Sequence, residues 1–155
     1  MSFMDQENLD SKSVHFKNSF NGKVSSQEPH HIVNYVWINA QEFIPGQAPE
    51  DPECGVPLNF IDMAISNAQM YPDTDFQIWI DAKLLENSPT LSILQAHLES
   101  SGCENINMRD LNEEIDRDII NYKESPYFFS DTGIPVWHRV DLARFLVTQQ
   151  TPVSY

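Results

Sequence analysis

Two periods alternate along this chain. Residues 32–38, Ile-Val-Asn-Tyr-Val-Trp-Ile, form a β-branched and aromatic run that reads as a buried strand. The stretch from Gln41 to Pro57 carries four prolines and two glycines and reads as an irregular loop. Phe60, Met63, Ala64 and Ala68 then recur at helical spacing. They predict a helix over 60–71, capped by Asn59 and stopped by Pro72. Phe76-Gln77-Ile78-Trp79-Ile80-Asp81 alternates and turns polar, which predicts a second strand. Leu91, Leu94 and Leu98 mark one face of a helix over 90–100, with Gly102 placed as its C-terminal cap.

Glu104 to Met108 reads as a short third strand. Asp110 and Glu113 have the spacing of a capping box for a helix that turns Leu111, Ile115, Ile119 and Tyr122 inward. After a loop with Pro126, Gly133 and Pro135, a last helix is predicted over about 137–150. Val140, Leu142, Ala143, Leu146 and Val147 give it a broad apolar face, opposite a stripe of Asp141, Arg144 and Thr148. Strand and helix alternating in this way predict an α/β fold with a mainly parallel sheet. Ligands of such sheets bind beyond the carboxyl ends of the strands, which points here to Trp37 and Asp81.

Composition narrows the partners. The chain has 155 residues, 23 acidic and 9 basic, for a formal charge of −14. A surface this acidic repels phosphate backbones, so nucleic acid is not an expected partner. The same charge leaves few cations to neutralise a diphosphate, so a nucleotide site would call on a divalent metal. No apolar run reaches the roughly 20 residues of a membrane-spanning helix. Residues 1–30 are polar and read as a loose tail without the pattern of a signal peptide. Cys54 and Cys103 form no metal-binding pattern, and a disulfide between them is a minor alternative to two free thiols.

The chemistry-bearing candidates each have a plainer reading. Trp37 is either a core tryptophan or a flat platform for a nucleobase. Asp141 and Arg144, three residues apart, are either a surface ion pair or a recognition pair, since a carboxylate accepts hydroxyl donors and a guanidinium offers fixed ones. Asp73-Thr74-Asp75 has the literal form D-x-D but sits in a turn beside Pro72, where aspartates commonly cap. His30-His31 lacks converging ligands.

Three segments carry a resemblance to a known family. The run IVNYVWINA is similar to the first strand of the sugar transferases that carry a D-x-D motif, among them the clostridial large-toxin glucosyltransferases and related bacterial effector glycosyltransferases. YPDTDFQIWIDAKLL resembles their second strand, and VWHRVDLARFLVTQQTPVSY resembles their aspartate-to-arginine helix ending near a tyrosine. The resemblance implies a Rossmann-like nucleotide-sugar-binding half-domain of the GT-A type over residues 31–155, the N-terminal part of a longer domain. It implies a UDP-sugar donor, transfer of a hexose to an acceptor that the sequence does not identify, a protein being one candidate, and Mn²⁺ or Mg²⁺ in the complete enzyme. Val36 and Trp37 would hold the uracil, with Trp37 stacking. Asp141 and Arg144 would contact the sugar hydroxyls near the diphosphate. Asp81 would lie at the mouth of the site, and Tyr155 would match the tyrosine that precedes the metal motif. With no signal-peptide pattern in the sequence, a bacterial cytoplasm and delivery into a host cytosol are both open expectations.

The chain departs from that pattern. Thr151-Pro152 replaces the Gly-Gly after the helix, and Asn39 replaces the glycine after the first strand, which is expected to narrow the approach to the base. The D-x-D itself would fall beyond Tyr155, so this chain alone is expected to be inactive and to carry no metal site. Two other classes compete with the transferase reading. One is an interaction module that keeps the fold and docks a basic partner. The other is a hydrolase with Asp81 and Asp141 as paired carboxylates.

Overall fold

The computed structural model describes residues 31–115 and 128–150. Strand β1 spans Ile32–Trp37, helix α1 Leu58–Met70, strand β2 Asp75–Ile80 and the short helix α2 Ala82–Leu85. Helix α3 spans Thr90–Ser101, strand β3 Ile106–Asp110 and the short helix α4 Leu111–Glu114. A 3₁₀ turn at Phe128–Ser130 precedes helix α5, Val136–Gln150. The strands form one sheet in the order β1-β2-β3, parallel throughout. The fold is therefore the expected α/β, Rossmann-like arrangement of parallel strands alternating with helices.

Period-2 geometry sends alternate side chains of each strand to opposite faces. One face carries Tyr35, Trp37, Phe76, Ile78, Ile80, Ile106 and Met108 and packs against α1 and α3. The other carries Val36, Ile38 and Trp79 and packs against α5 through Ala143, Leu146 and Val147. Every residue of β2 is buried, as a central strand with both faces covered requires. Each fully buried aliphatic side chain in these layers contributes about 1.5–3 kcal/mol.

Several boundaries differ from those predicted. Helix α1 starts directly after Pro57, whose carbonyl accepts from Phe60 and Ile61, so Asn59 lies inside the first turn and is exposed. Its buried face is Ile61, Ala64, Ile65 and Ala68, and Met63 is exposed. Strand β3 runs two residues later than predicted. Asn105 does not join it because its side-chain amide donates to the carbonyls of Ala68, Tyr71 and Thr74 and closes the end of α1. Arg109 can extend the strand because Glu114 pairs with it and the Trp79 ring lies 5.7 Å beneath its guanidinium.

Helix α3 and its Gly102 cap, at φ 73°, match the expectation. Asp110 does cap α4, accepting from the Asn112 amide, but Glu114 rather than Glu113 closes the box by accepting from the Asp110 amide. The later turns proposed for that helix, with Ile119 and Tyr122, lie outside the described residues, as do residues 1–30 and Tyr155. Cys54 and Cys103 are free, which settles the disulfide alternative. Among the described residues no helix is long and apolar enough to cross a membrane.

Candidate functional site at the carboxyl end of the sheet

The last row of paired residues in the sheet is Trp37, Ile80 and Asp110. Beyond it lie Asn39, Asp81 and Asn112, all buried.

Trp37 ends β1 half-buried. Its ring packs at 47° against Phe60, 5.2 Å between centroids, and its Nε1 donates to the Gly55 carbonyl at 3.0 Å. Val36, one residue earlier, points to the other face and packs with the α5 cluster. Asn39 is wholly buried and donates through Nδ2 to the same Gly55 carbonyl at 2.6 Å. It therefore turns into the loop and does not narrow an exposed approach, contrary to the expectation from its replacement of glycine.

Asp81 sits one residue past β2 with no exposed surface. Its Oδ1 accepts from the Leu84 amide at 3.3 Å, Asn112 Nδ2 at 2.8 Å and Ser130 Oγ at 2.6 Å. Its Oδ2 is buried without a hydrogen-bond partner. Burial raises the Asp81 pKa, against the hydrogen bonds of Ser130, Asn112 and Leu84 and the charge of Arg139, which lower it. Asp110 lies on the adjacent strand, and its Oδ1 accepts from the amides of Asn112 at 3.1 Å and Ala82 at 3.3 Å. Burial above all, with the Asp81 and Glu113 charges, pushes Asp110 up to about 6. Asn112 thus joins both carboxylates, one through its backbone and one through its side chain.

Arg139 holds the first turn of α5 to this node. It is 1% exposed, and its Nη1 donates to the carbonyls of Asn39 at 3.1 Å and Phe129 at 2.7 Å. Its Nε donates to Ile134 at 3.0 Å. Burial pulls its pKa down, opposed by the charges of Asp81 and Asp131. One guanidinium therefore ties together the end of β1, the 3₁₀ turn and the start of α5.

Asp141 and Arg144 lie on the outer stripe of α5. Both are strongly exposed, at 3.9 Å between Oδ1 and Nη1. That separation is an ion pair but too long for a hydrogen bond, so the carboxylate and guanidinium keep their hydrogen-bonding capacity for other groups. The same helix exposes Trp137 and Phe145, 63% and 61% accessible.

The structure brings Asp141 and Arg144 together, sets Val36 and Trp37 on opposite faces of one strand, and places Asp81 inside the protein. The hydrolase pairing of Asp81 with Asp141 does not form, because one is enclosed by Ser130, Asn112 and Leu84 and the other is out on α5. Asp73 is exposed while Asp75 is buried at the opposite, amino end of β2, so this D-x-D does not converge. Among the described residues no three His, Cys, Asp or Glu side chains group as a metal site. They do not by themselves fit the divalent ion that the resemblance implies.

The residues missed from sequence are Asn112, Ser130 and Arg139, while Asp110 was legible only as the cap of α4. Of the missed residues only Arg139 left a signal: it shares a helical face with Ala143 and Leu146, both buried. Comparison with protein-family models, with curated proteins and with solved structures found no match for this chain.

Proposed function

We propose that this chain is the nucleotide-sugar-binding part of a GT-A-type glycosyltransferase that takes a UDP-hexose donor. The observation that carries the reading is the placement of Trp37: a half-buried indole at the carboxyl end of a strand in a parallel sheet, anchored at Nε1. A base stacked on such a ring gains about 1–3 kcal/mol. Val36 would contribute through its backbone, since its side chain is taken up by the α5 cluster. Asp141 and Arg144, exposed and not hydrogen-bonded to each other, are suited to hydroxyl groups of a sugar, but α5 lies on the Val36 face of the sheet and Trp37 on the other, so a donor must pass around the carboxyl edge of the sheet to meet both. Asp81 acts from within, capping α2 and ordering the node behind the site.

The residues of this chain orient the donor, so their share of catalysis is positioning rather than nucleophilic attack. The exposed Trp137 and Phe145 favour a second reading, a protein-interaction module.

Titration with UDP in the presence of Mn²⁺ separates the two. Tryptophan fluorescence should be quenched in the wild type and not in Trp37→Phe. An unquenched wild type that still captures a basic protein partner would favour the interaction module.

A further inference from the structure

The loop between β1 and α1 is proline-rich and without regular structure, yet it is closely tied down around one residue, Gly55. The Gly55 amide donates to Asp51 O at 2.7 Å, the neighbouring Val56 amide to Pro49 O at 3.0 Å, and the Ala40 amide to Glu53 O at 3.2 Å. Pro49 O also accepts from Thr90 Oγ1 at 3.2 Å, which fixes the loop to the start of α3. Gly55 is packed so closely that a Cβ there would lie 1.9 Å from Pro49 O and 2.6 Å from Pro49 C. Backbone atoms cannot give way as a side-chain tip can, so the position requires glycine for space. The product of this packing is a buried carbonyl that accepts both Trp37 Nε1 at 3.0 Å and Asn39 Nδ2 at 2.6 Å.

We infer that Gly55 is a positioning residue: its carbonyl sets the plane of the Trp37 indole and so controls how well a nucleobase stacks there. This role rests on the reading of Trp37 as the base platform. Two constraints fix a flat ring on a flexible χ2, the Phe60 contact on one side and the Nε1 bond at the edge. Releasing the bond leaves the ring packed on one side only. The ligand class is the planar heterocycle of a nucleotide, and the loop acts as a splint rather than a contact surface.

The test follows the three indole N–H resonances by ¹⁵N NMR, assigned with Trp37→Phe and Trp137→Phe. In the wild type the Trp37 N–H should exchange at least about tenfold more slowly than that of exposed Trp137. Gly55→Ala should remove that protection, leave buried Trp79 protected, and weaken UDP binding by about tenfold or more. Asn39→Ala, which removes the other donor but keeps the carbonyl, should leave Trp37 protected. If Gly55→Ala does not fold, the wild type and Asn39→Ala decide.

Rapid exchange of Trp37 in the wild type, or loss of its protection in Asn39→Ala, would overturn the inference. So would a folded Gly55→Ala with unchanged exchange and unchanged UDP affinity. Slow exchange in a wild type that binds no UDP overturns the base-platform reading, and this role with it. UDP binding that Gly55→Ala leaves intact overturns the role alone.

Discussion

Asp110 is held at the end of β3 with little water around it and with Asp81 nearby, so its fold favours the protonated form. Its pKa is raised from 3.8 to about 6, so between those values the folded state binds more protons than the unfolded state. Stability contributed by this group is full below about pH 4 and is lost as pH rises through about 6. Asp110→Asn keeps an oxygen for the Ala82 and Asn112 amides and removes the charge. It should stabilise the chain at pH 7.5 by about 1–3 kcal/mol, with the gain vanishing below about pH 4. Urea titrations of both proteins across that range check it; an equal stability difference at pH 4 and pH 7.5 would contradict it. Asp141→Asn lies at the other extreme, on an exposed pair at 3.9 Å. It should change stability by less than about 0.5 kcal/mol. On the proposed function it should nonetheless weaken UDP-hexose more than UDP, which calorimetry with the two ligands measures.

Arg139 makes α5 more than a cover for the sheet. Its three hydrogen bonds bring the helix start onto the end of β1, and its charge offsets that of buried Asp81. Arg139→Met should leave three carbonyls without that donor and Asp81 without its counter-charge, at a cost of about 3–5 kcal/mol. Adding Asp81→Asn should recover part of that loss, because the uncompensated charge goes with it; purely additive losses in the double variant would contradict the coupling. The elements themselves were legible in the sequence because 3.6- and 2-residue periods survive in β1, β2, α3 and α5. The node was not. Ser130 meets Asp81 across 49 residues and Asn112 meets it across 31; locally Ser130 reads as a loop polar residue and Asn112 as one in the first turn of a helix. Arg139 was legible only as a charge on an otherwise apolar face, whereas Arg144 stands out on the polar stripe. The position of Trp37 at the end of β1 was legible because topology, not residue type, marks the strand ends of a parallel sheet.

At the scale of the molecule, parallel strands and two-sided packing put the buried node and Trp37 at one end, while the surplus negative charge acts over the whole surface. A net charge of −14 repels UDP, itself an anion, at distances comparable to the Debye length. Without divalent metal, UDP affinity should therefore rise as NaCl increases from low to physiological ionic strength, the reverse of a site dominated by basic side chains. Equilibrium titrations at several salt concentrations measure the slope, and affinity that falls steeply with salt would contradict this account of the field.

Whether a nucleobase lies on Trp37 is tested by a UDP titration of the wild-type chain followed through its three indole N–H resonances. The Trp37 resonance should shift saturably, with the resonance of buried Trp79 stationary and that of Trp137 unmoved by UDP. A stationary Trp37 resonance at saturating UDP, or a shift confined to Trp137, would contradict a base on Trp37.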